Sequence, residues 1–325
     1  MPTLKLRRCP ALRVPGAAPI TQTRSGSAGC TVLIARRTER REGARPRPAG
    51  RPRSAGRIDQ GLRISGSLWR FWHLRAHLQE GSQLLDDLLS APLGQTDPAA
   101  RASGLAAVGS LAYWQLDYRT AQQGYAQALS CFQQAGDAAG IAEAHYNLGF
   151  TTQFAGDSHK ARGLFEAAAR EYDNLGDELG RLNALTGIAL VDHMTGNTER
   201  ARQQVQASLQ RFRALGDHFA ASNCLSLLGS ILRAQGNLSE ASTILREALA
   251  AHDQAGNLSG IVWMLHELAG IAFTRNQTER ALRLSGAASR MQGQGGTVPV
   301  EQLPLARLKE AIQALTAVVR RKIQR

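Results

Sequence analysis

Residues 216–257 read GDHFAASNCLSLLGSILRAQGNLSEASTILREALAAHDQAGN, and the pairs Gly216-Asp217, Gly236-Asn237 and Gly256-Asn257 in this stretch stand at a spacing of 20 residues. The same spacing runs back through Gly196-Asn197, Gly176-Asp177 and Gly156-Asp157 to Gly136-Asp137. Glycine can take the left-handed conformation that ends one helix, and an Asp or Asn behind it can accept the orphan N–H groups that open the next. Each interval therefore predicts one helix of about 15 residues and a tight turn. Glu240 stands at capping-box spacing from Asn237.

Outward from this stretch the pattern repeats more fully every 40 residues, which makes the unit a helix pair. Ala121, Ala161, Ala201, Ala241 and Ala281 are in register, as are Ala128, Ala168, Ser208, Ala248 and Ala288. Val108, Leu148, Ile188, Leu228 and Leu268 form an apolar column, with Gly109, Gly149, Ala189, Gly229 and Ala269 a small-residue column beside it. Small residues on facing helices allow tight ridge-and-groove contact, and the apolar column fills the layer between neighbours. The fold expected is all-α, a solenoid of antiparallel helix pairs.

These columns resemble the tetratricopeptide signature. An apolar-small pair on the first helix is followed by Ala twelve residues later on the second, then by Tyr125, Phe165, Val205 or Leu245 four residues on. The departures are a unit of 40 rather than about 34 residues, Ser285 where a bulky residue is expected, and no Pro closing each repeat. The resemblance implies a right-handed superhelix whose first helices line the concave face.

Run backward, the register places Leu68 in the apolar column and Gly81 in the Ala column, so a degenerate unit with helices at 68–79 and 81–90 is expected over about 57–96. Four clear units follow from Asp97 to Gly256, and a fifth decays after Arg290. Residues 292–299 look like a linker, and 301–319 carry one apolar helical stripe suited to capping the last unit. The domains expected are a tail over 1–56, the repeat array over 57–296, and a capping helix with a basic tail over 297–325.

The 325 residues are 43% hydrophobic, enough to bury a sizeable core, and carry a formal net charge of +13. That charge is not spread evenly. Residues 1–56 hold twelve Arg and one Lys against Glu39 and Glu42, whereas the remainder is nearly balanced with 26 basic and 24 acidic residues. Any case for a polyanionic partner therefore concerns the tail alone. Rich in Arg, Pro, Gly, Ala and Ser, that tail is expected to be disordered. It lacks the aromatics that nucleic-acid arms usually interleave, and a linker or stretch without a selected role is preferred to a binding arm or a targeting peptide. Cys9, Cys30, Cys131 and Cys224 lie far apart, with no zinc-ligand spacing, so a reduced, cytoplasmic protein is the economical reading. No apolar run has the length of a membrane span, and the chain is expected to be soluble.

A narrower resemblance lies at the two ends of the array. Residues Leu68 to Gly81, LWRFWHLRAHLQEG, and Glu279 to Ala288, ERALRLSGAA, look like the C-terminal repeat region of large bacterial transcriptional regulators of the signal-transduction ATPase class. The resemblance covers about residues 66–300 and implies a module that senses a partner or restrains an ATPase. The phosphate loop of that class is missing, because none of Lys5, Lys160, Lys309 and Lys322 is preceded by Gly.

Nothing in the chain reads as an active site, and no cofactor or metal is expected. His73 and His77 share a helix face, but Leu74 stands where a zinc protease carries Glu and no third ligand suggests itself, so edge packing is the preferred reading. Gly293-Gln294-Gly295-Gly296 follows no strand and reads as a connector. The better candidate is a groove for a protein or peptide. The tetratricopeptide register carries the concave face onto Tyr113, Trp114, Tyr146, Phe150, Phe154, Asn183, Leu190, Asn223, Arg233, Trp263 and Phe273. Aromatics supply contact area at low entropic cost, and Asn183 and Asn223, 40 residues apart, could each bridge the backbone of an extended ligand through donor and acceptor. The alternative is that several of these aromatics are interhelix core. The function expected is a non-enzymatic binding module, the sensor or scaffold of a bacterial regulatory system. The competing readings are a DNA-associated regulator acting through the tail and a truncated remnant of a larger ATPase.

Overall fold

A computed structural model describes residues 53–74, 77–90, 96–115 and 117–295. Residues 53–56, the end of the expected disordered tail, are helical, whereas expectations for residues 1–52 and 296–325, among them most of that tail and the capping helix, lie outside the described residues. Within them the chain forms twelve helices: α1 (Arg53–Leu74), α2 (Leu78–Leu89), α3 (Pro98–Trp114), α4 (Tyr118–Ala135), α5 (Ala138–Phe154), α6 (Ser158–Asn174), α7 (Glu178–Met194), α8 (Thr198–Leu215), α9 (His218–Ala234), α10 (Leu238–Gln254), α11 (Leu258–Thr274) and α12 (Thr278–Gly295). No strand is present among the described residues.

The turns follow from local chemistry. All seven glycines of the series, from Gly136 to Gly256, have φ between 65° and 96°, and the next place in the rhythm is taken by Asn276 with φ 58°. The residue after each glycine donates its N–H to a carbonyl five back, as Asp137 does to Phe132, Asp177 to Tyr172 and Asn257 to His252, which closes the left-handed helix end. Asp97, Asp117, Asp137, Asp157, Asp177, Asp217 and Asn257 then accept from the N–H three residues on. Asn197 and Asn237 make no such bond, so the capping box expected between Asn237 and Glu240 does not form. The Asn197 amide turns instead toward Asp192 and Thr195.

No neighbouring side chain lies within contact range of a Cβ added at Gly176, where φ is 67°. Gly176→Ala should therefore cost only the left-handed strain, about 1–2 kcal/mol, and Gly176→Asn less, since Asn tolerates this region. Urea unfolding of the two variants checks the order Gly, Asn, Ala in stability.

The packing columns are buried as the register requires. Ala121, Ala161, Ala201, Ala241 and Ala281 are at most 1% exposed. Opposite them, sizes compensate from unit to unit. An added Cβ at Gly109 would fall 2.8 Å from the Tyr125 ring, one at Gly149 2.6 Å from Phe165, and one at Gly229 2.4 Å from Leu245. Where the column carries Ala189, the facing residue shrinks to Val205, and both pack in the largest core cluster. Where it carries Ala269, Ser285 takes the facing register place, a matched exchange of volume across the helix pair. A second set of contacts joins the end of each pair to the start of the next: Phe132 lies on Gly140, Tyr172 on Gly180 and His252 on Gly260.

Besides their sequence neighbours, the first helices of successive units touch each other, α3 with α5, α5 with α7, α7 with α9 and α9 with α11, whereas the second helices splay apart. The array therefore curves with the first helices inside. The opening pair differs from expectation in its bounds. α1 is one long helix ending at Leu74 rather than a helix over 68–79, and α2 begins at Leu78. Trp72 lies flat against Gly81, and the two helices are held there by Leu78, Leu85, Ala107 and Leu111. At the other end, α12 runs through Gly295 and so includes the first four residues of the expected linker.

Candidate functional site

On each first helix one stripe lies on the inner side of the curve and is only partly covered by the neighbouring helices. On α5 it comprises Ala139, Glu143, Tyr146, Asn147, Phe150 and Phe154, none of them fully buried. On α7 it comprises Leu179, Asn183, Thr186, Leu190 and Met194, and on α9 it opens at Phe219 and Asn223. Phe219 and Met194 are 51% and 52% exposed. These stripes line the inner surface of the curve.

The expected groove residues fall into three groups. Asn183 is half-buried and Asn223 exposed, and among the described residues neither side chain has a hydrogen-bond partner.

The aromatics on α3 and α5 are half-buried and lean on one another. Tyr113 meets Trp114, Tyr118 and Phe154 edge-on or tilted, with centroids 5.4 to 6.1 Å apart. Tyr146 and Phe150 pack edge-on against each other and against the buried Phe165 ring. They are core and wall at once, because each ring gives one edge to the interhelix layer and keeps the other on the open stripe. Leu190 packs similarly against the core cluster that spans α7 to α11.

The third group is engaged internally. Arg233 Nε donates to Glu267 Oε2 at 2.6 Å, and Trp263 Nε1 donates to Glu267 Oε1 at 3.4 Å. Glu267 itself is buried. Burial holds the neighbouring His193 imidazole below its ordinary range, opposed by Glu267 and reinforced by Arg233. Arg233 thus serves an internal carboxylate, and its charge is offset before any ligand arrives. Phe273, by contrast, is 36% exposed at the far end of the same register.

Three further residues enter the site that sequence reasoning did not place there. Glu143 occupies the repeat position of Asn183 and Asn223, and the 40-residue register alone would have found it. Arg70, on the last turns of α1, acts electrostatically on both Glu143 and Tyr146. His73 stacks on Trp114 with ring centroids 4.0 Å apart and comes 3.4 Å from Ser259 Oγ on α11. That contact, between residues 186 apart in sequence, joins the first helix to the fifth full unit across the inner side of the curve. His73 is therefore a structural clasp, its imidazole pushed down to about 4 by burial, while its neighbour His77 opens α2. No group of three metal-ligating side chains occurs among the described residues. No helix among them is long and apolar enough to cross a membrane.

Comparison with known proteins agrees with this architecture. Residues 180–254 match the tetratricopeptide repeat family model. No curated protein matches the chain. Among solved structures, a Rap protein complexed with competence and sporulation factor is 15% identical and superposes with a TM-score of 0.64 over 82% of this chain and 72% of that one. The apo form of RapI is 12% identical, with a TM-score of 0.61 over 82% of this chain and 92% of its own. NprR in complex with its cognate peptide NprX is 16% identical, with a TM-score of 0.60 over 73% of this chain and 68% of its own. At such identities the likeness concerns the fold: the chain is an all-α, tetratricopeptide-like solenoid.

Proposed function

We propose that the array is a non-catalytic receptor for an extended protein segment or peptide, serving as the sensor or scaffold part of a bacterial regulatory system. The observation that carries this reading is the pair of unpartnered amides, Asn183 and Asn223, at one repeat position on the inner face, flanked by half-exposed aromatics and by Leu179, Phe219 and Met194. An Asn side chain offers one acceptor and two donors, the complement of a peptide backbone unit, and a repeat of that offer suits a ligand in extended form. Peptide capture by NprR, a protein of the same fold, supports the reading, as does the resemblance of residues 66–300 to the repeat region of signal-transduction ATPase regulators. In such arrays each unit touches only its neighbours, so a ligand spanning two or more units biases curvature along the stack.

The residues that serve the ligand are Asn183 and Asn223 with Tyr113, Trp114, Tyr146, Phe150, Phe154, Trp263 and Phe273 as walls, while Arg233 supports Trp263 through Glu267. Replacing both Asn183 and Asn223 by Ala should weaken binding of a selected peptide about 10- to 100-fold, two backbone-bridging contacts being lost. Peptides selected from a random display library on the intact chain, then titrated by fluorescence anisotropy, supply the measurement. Unchanged affinity in the double variant would refute the groove.

A further inference from the structure

We infer that Glu143 is a specificity residue of the groove, selecting a ligand with a lysine or arginine side chain opposite α5. This rests on the proposed groove and names the chemistry it prefers. Three observations lead to it. Glu143 stands in the register of Asn183 and Asn223, one unit earlier, and is the only acidic side chain at that position, the others being Arg63, Ser103 and Trp263. Its side chain is exposed on the inner stripe and, among the described residues, forms no hydrogen bond or ion pair. Arg70, held over the Trp69 ring at 5.3 Å, is near enough to act on Glu143 by charge without bonding to it.

Glu143 reaches solvent on the same helix stripe as Tyr146. Burial is the main cause raising its carboxyl above the ordinary range, with Arg70 opposing and Asp137 adding to the rise. A carboxylate left in such a place without a bonded partner has lost part of its hydration and gained little in return. A cationic side chain arriving with the ligand completes the pair in a setting where water screens it less than at a flat surface. Arg70 acts on Glu143 by charge without bonding to it, so the carboxylate's bonding positions stay open to a long basic side chain from the ligand.

The test uses the full chain and an N-terminally acetylated random peptide display library, so that only side chains supply positive charge. Selection on the wild type should enrich Lys or Arg at one position of peptides whose binding depends on Asn183 and Asn223. Glu143→Gln should weaken those peptides about tenfold or more and flatten their salt dependence, and Glu143→Lys should shift the preferred residue at that position to Asp or Glu. Peptides that need the two asparagines but show no basic preference, or that bind Glu143→Gln as well as wild type, would overturn the role of Glu143 and leave the groove standing. Selected peptides indifferent to Asn183 and Asn223 would overturn the groove and this inference together. Selection of basic peptides only when the N-terminus is left unacetylated would also overturn it, because the charge sensed would then be the terminal amine.

Discussion

Phe165→Ala should cost the array about 4–5 kcal/mol, the upper part of the range for truncating a buried aromatic. The ring is fully buried on α6, between α5 and α7. Its neighbours on those helices are Gly149 and Gly187, where an added Cβ would fall 2.6 and 2.5 Å from the ring. A cavity opened there has no side chain on either glycine to collapse into it, and it would also undercut Tyr146 and Phe150, whose edges rest on the ring. Because support between units comes chiefly from neighbours, with the His73–Ser259 contact as the long-range exception, the loss falls in mid-array, where it weakens cooperation between the two halves. Urea unfolding followed by circular dichroism should show a lower midpoint and, if the halves uncouple, a broader transition. Gly187→Ala is the companion experiment. It should destabilise the wild type by about 1–3 kcal/mol through overpacking and be close to neutral in the Phe165→Ala background, a coupling that only direct contact produces. A loss below about 1 kcal/mol for Phe165→Ala would show that the layer repacks and that the glycines do not shape it.

Acid should unfold the protein through His252, on α10, the third helix from the end of the described array. This imidazole is 1% exposed. It stands where Phe132, Tyr172 and Phe212 stand in the earlier units. Its Nδ1 accepts from the Asn257 amide at 3.1 Å and its Nε2 lies 2.9 Å from Ser226 Oγ, an arrangement that serves the neutral ring. Burial lowers its pKa from 6.5 to about 4. Above pH 6.5 the ring is neutral in both the folded and unfolded chain, and its contribution is complete. Between pH 6.5 and 4 the unfolded chain takes up a proton that the folded one refuses, so stability falls with falling pH by an amount of order 3 kcal/mol. Burial lowers His193 and His266 in the same direction, which adds to the slope. His252→Phe places in this junction an aromatic ring like those of Phe132, Tyr172 and Phe212 in the three before it. It should remove His252's share of the slope, so that variant and wild type differ most in stability near pH 4 and least near pH 7. Equal slopes of unfolding free energy against pH in the two proteins would rule His252 out.

Much of the fold was legible because its decisive signals are local. A left-handed glycine, the N–H behind it and the carboxylate that caps the next helix all lie within a few residues, so Gly136-Asp137 and its successors define helix ends wherever the rest of the chain goes. The Ala columns were legible for a related reason, since a 40-residue register repeats the same neighbours in every unit. The opening pair was less so. Without a Gly-Asx turn, the end of α1 at Leu74 is set by Trp72 closing onto Gly81 and by packing on α3, and the register alone placed that end five residues too late.

The candidate site divides along the same line. The sequence by itself displays the aromatics and the two asparagines that share a repeat register. Glu143 shares that position one unit earlier, and being neither aromatic nor amide it carries no signal of its own in a single sequence. Only the tertiary structure decided which of these groups are free. Arg233 is engaged by Glu267, 34 residues away, Tyr146 and Phe150 lend an edge to Phe165, and His73 closes onto Ser259 from 186 residues off. Helix ends depend on interactions within one turn of chain, which a single sequence displays. The freedom of a side chain depends on what the solenoid's curvature brings across the groove, and no local pattern encodes that.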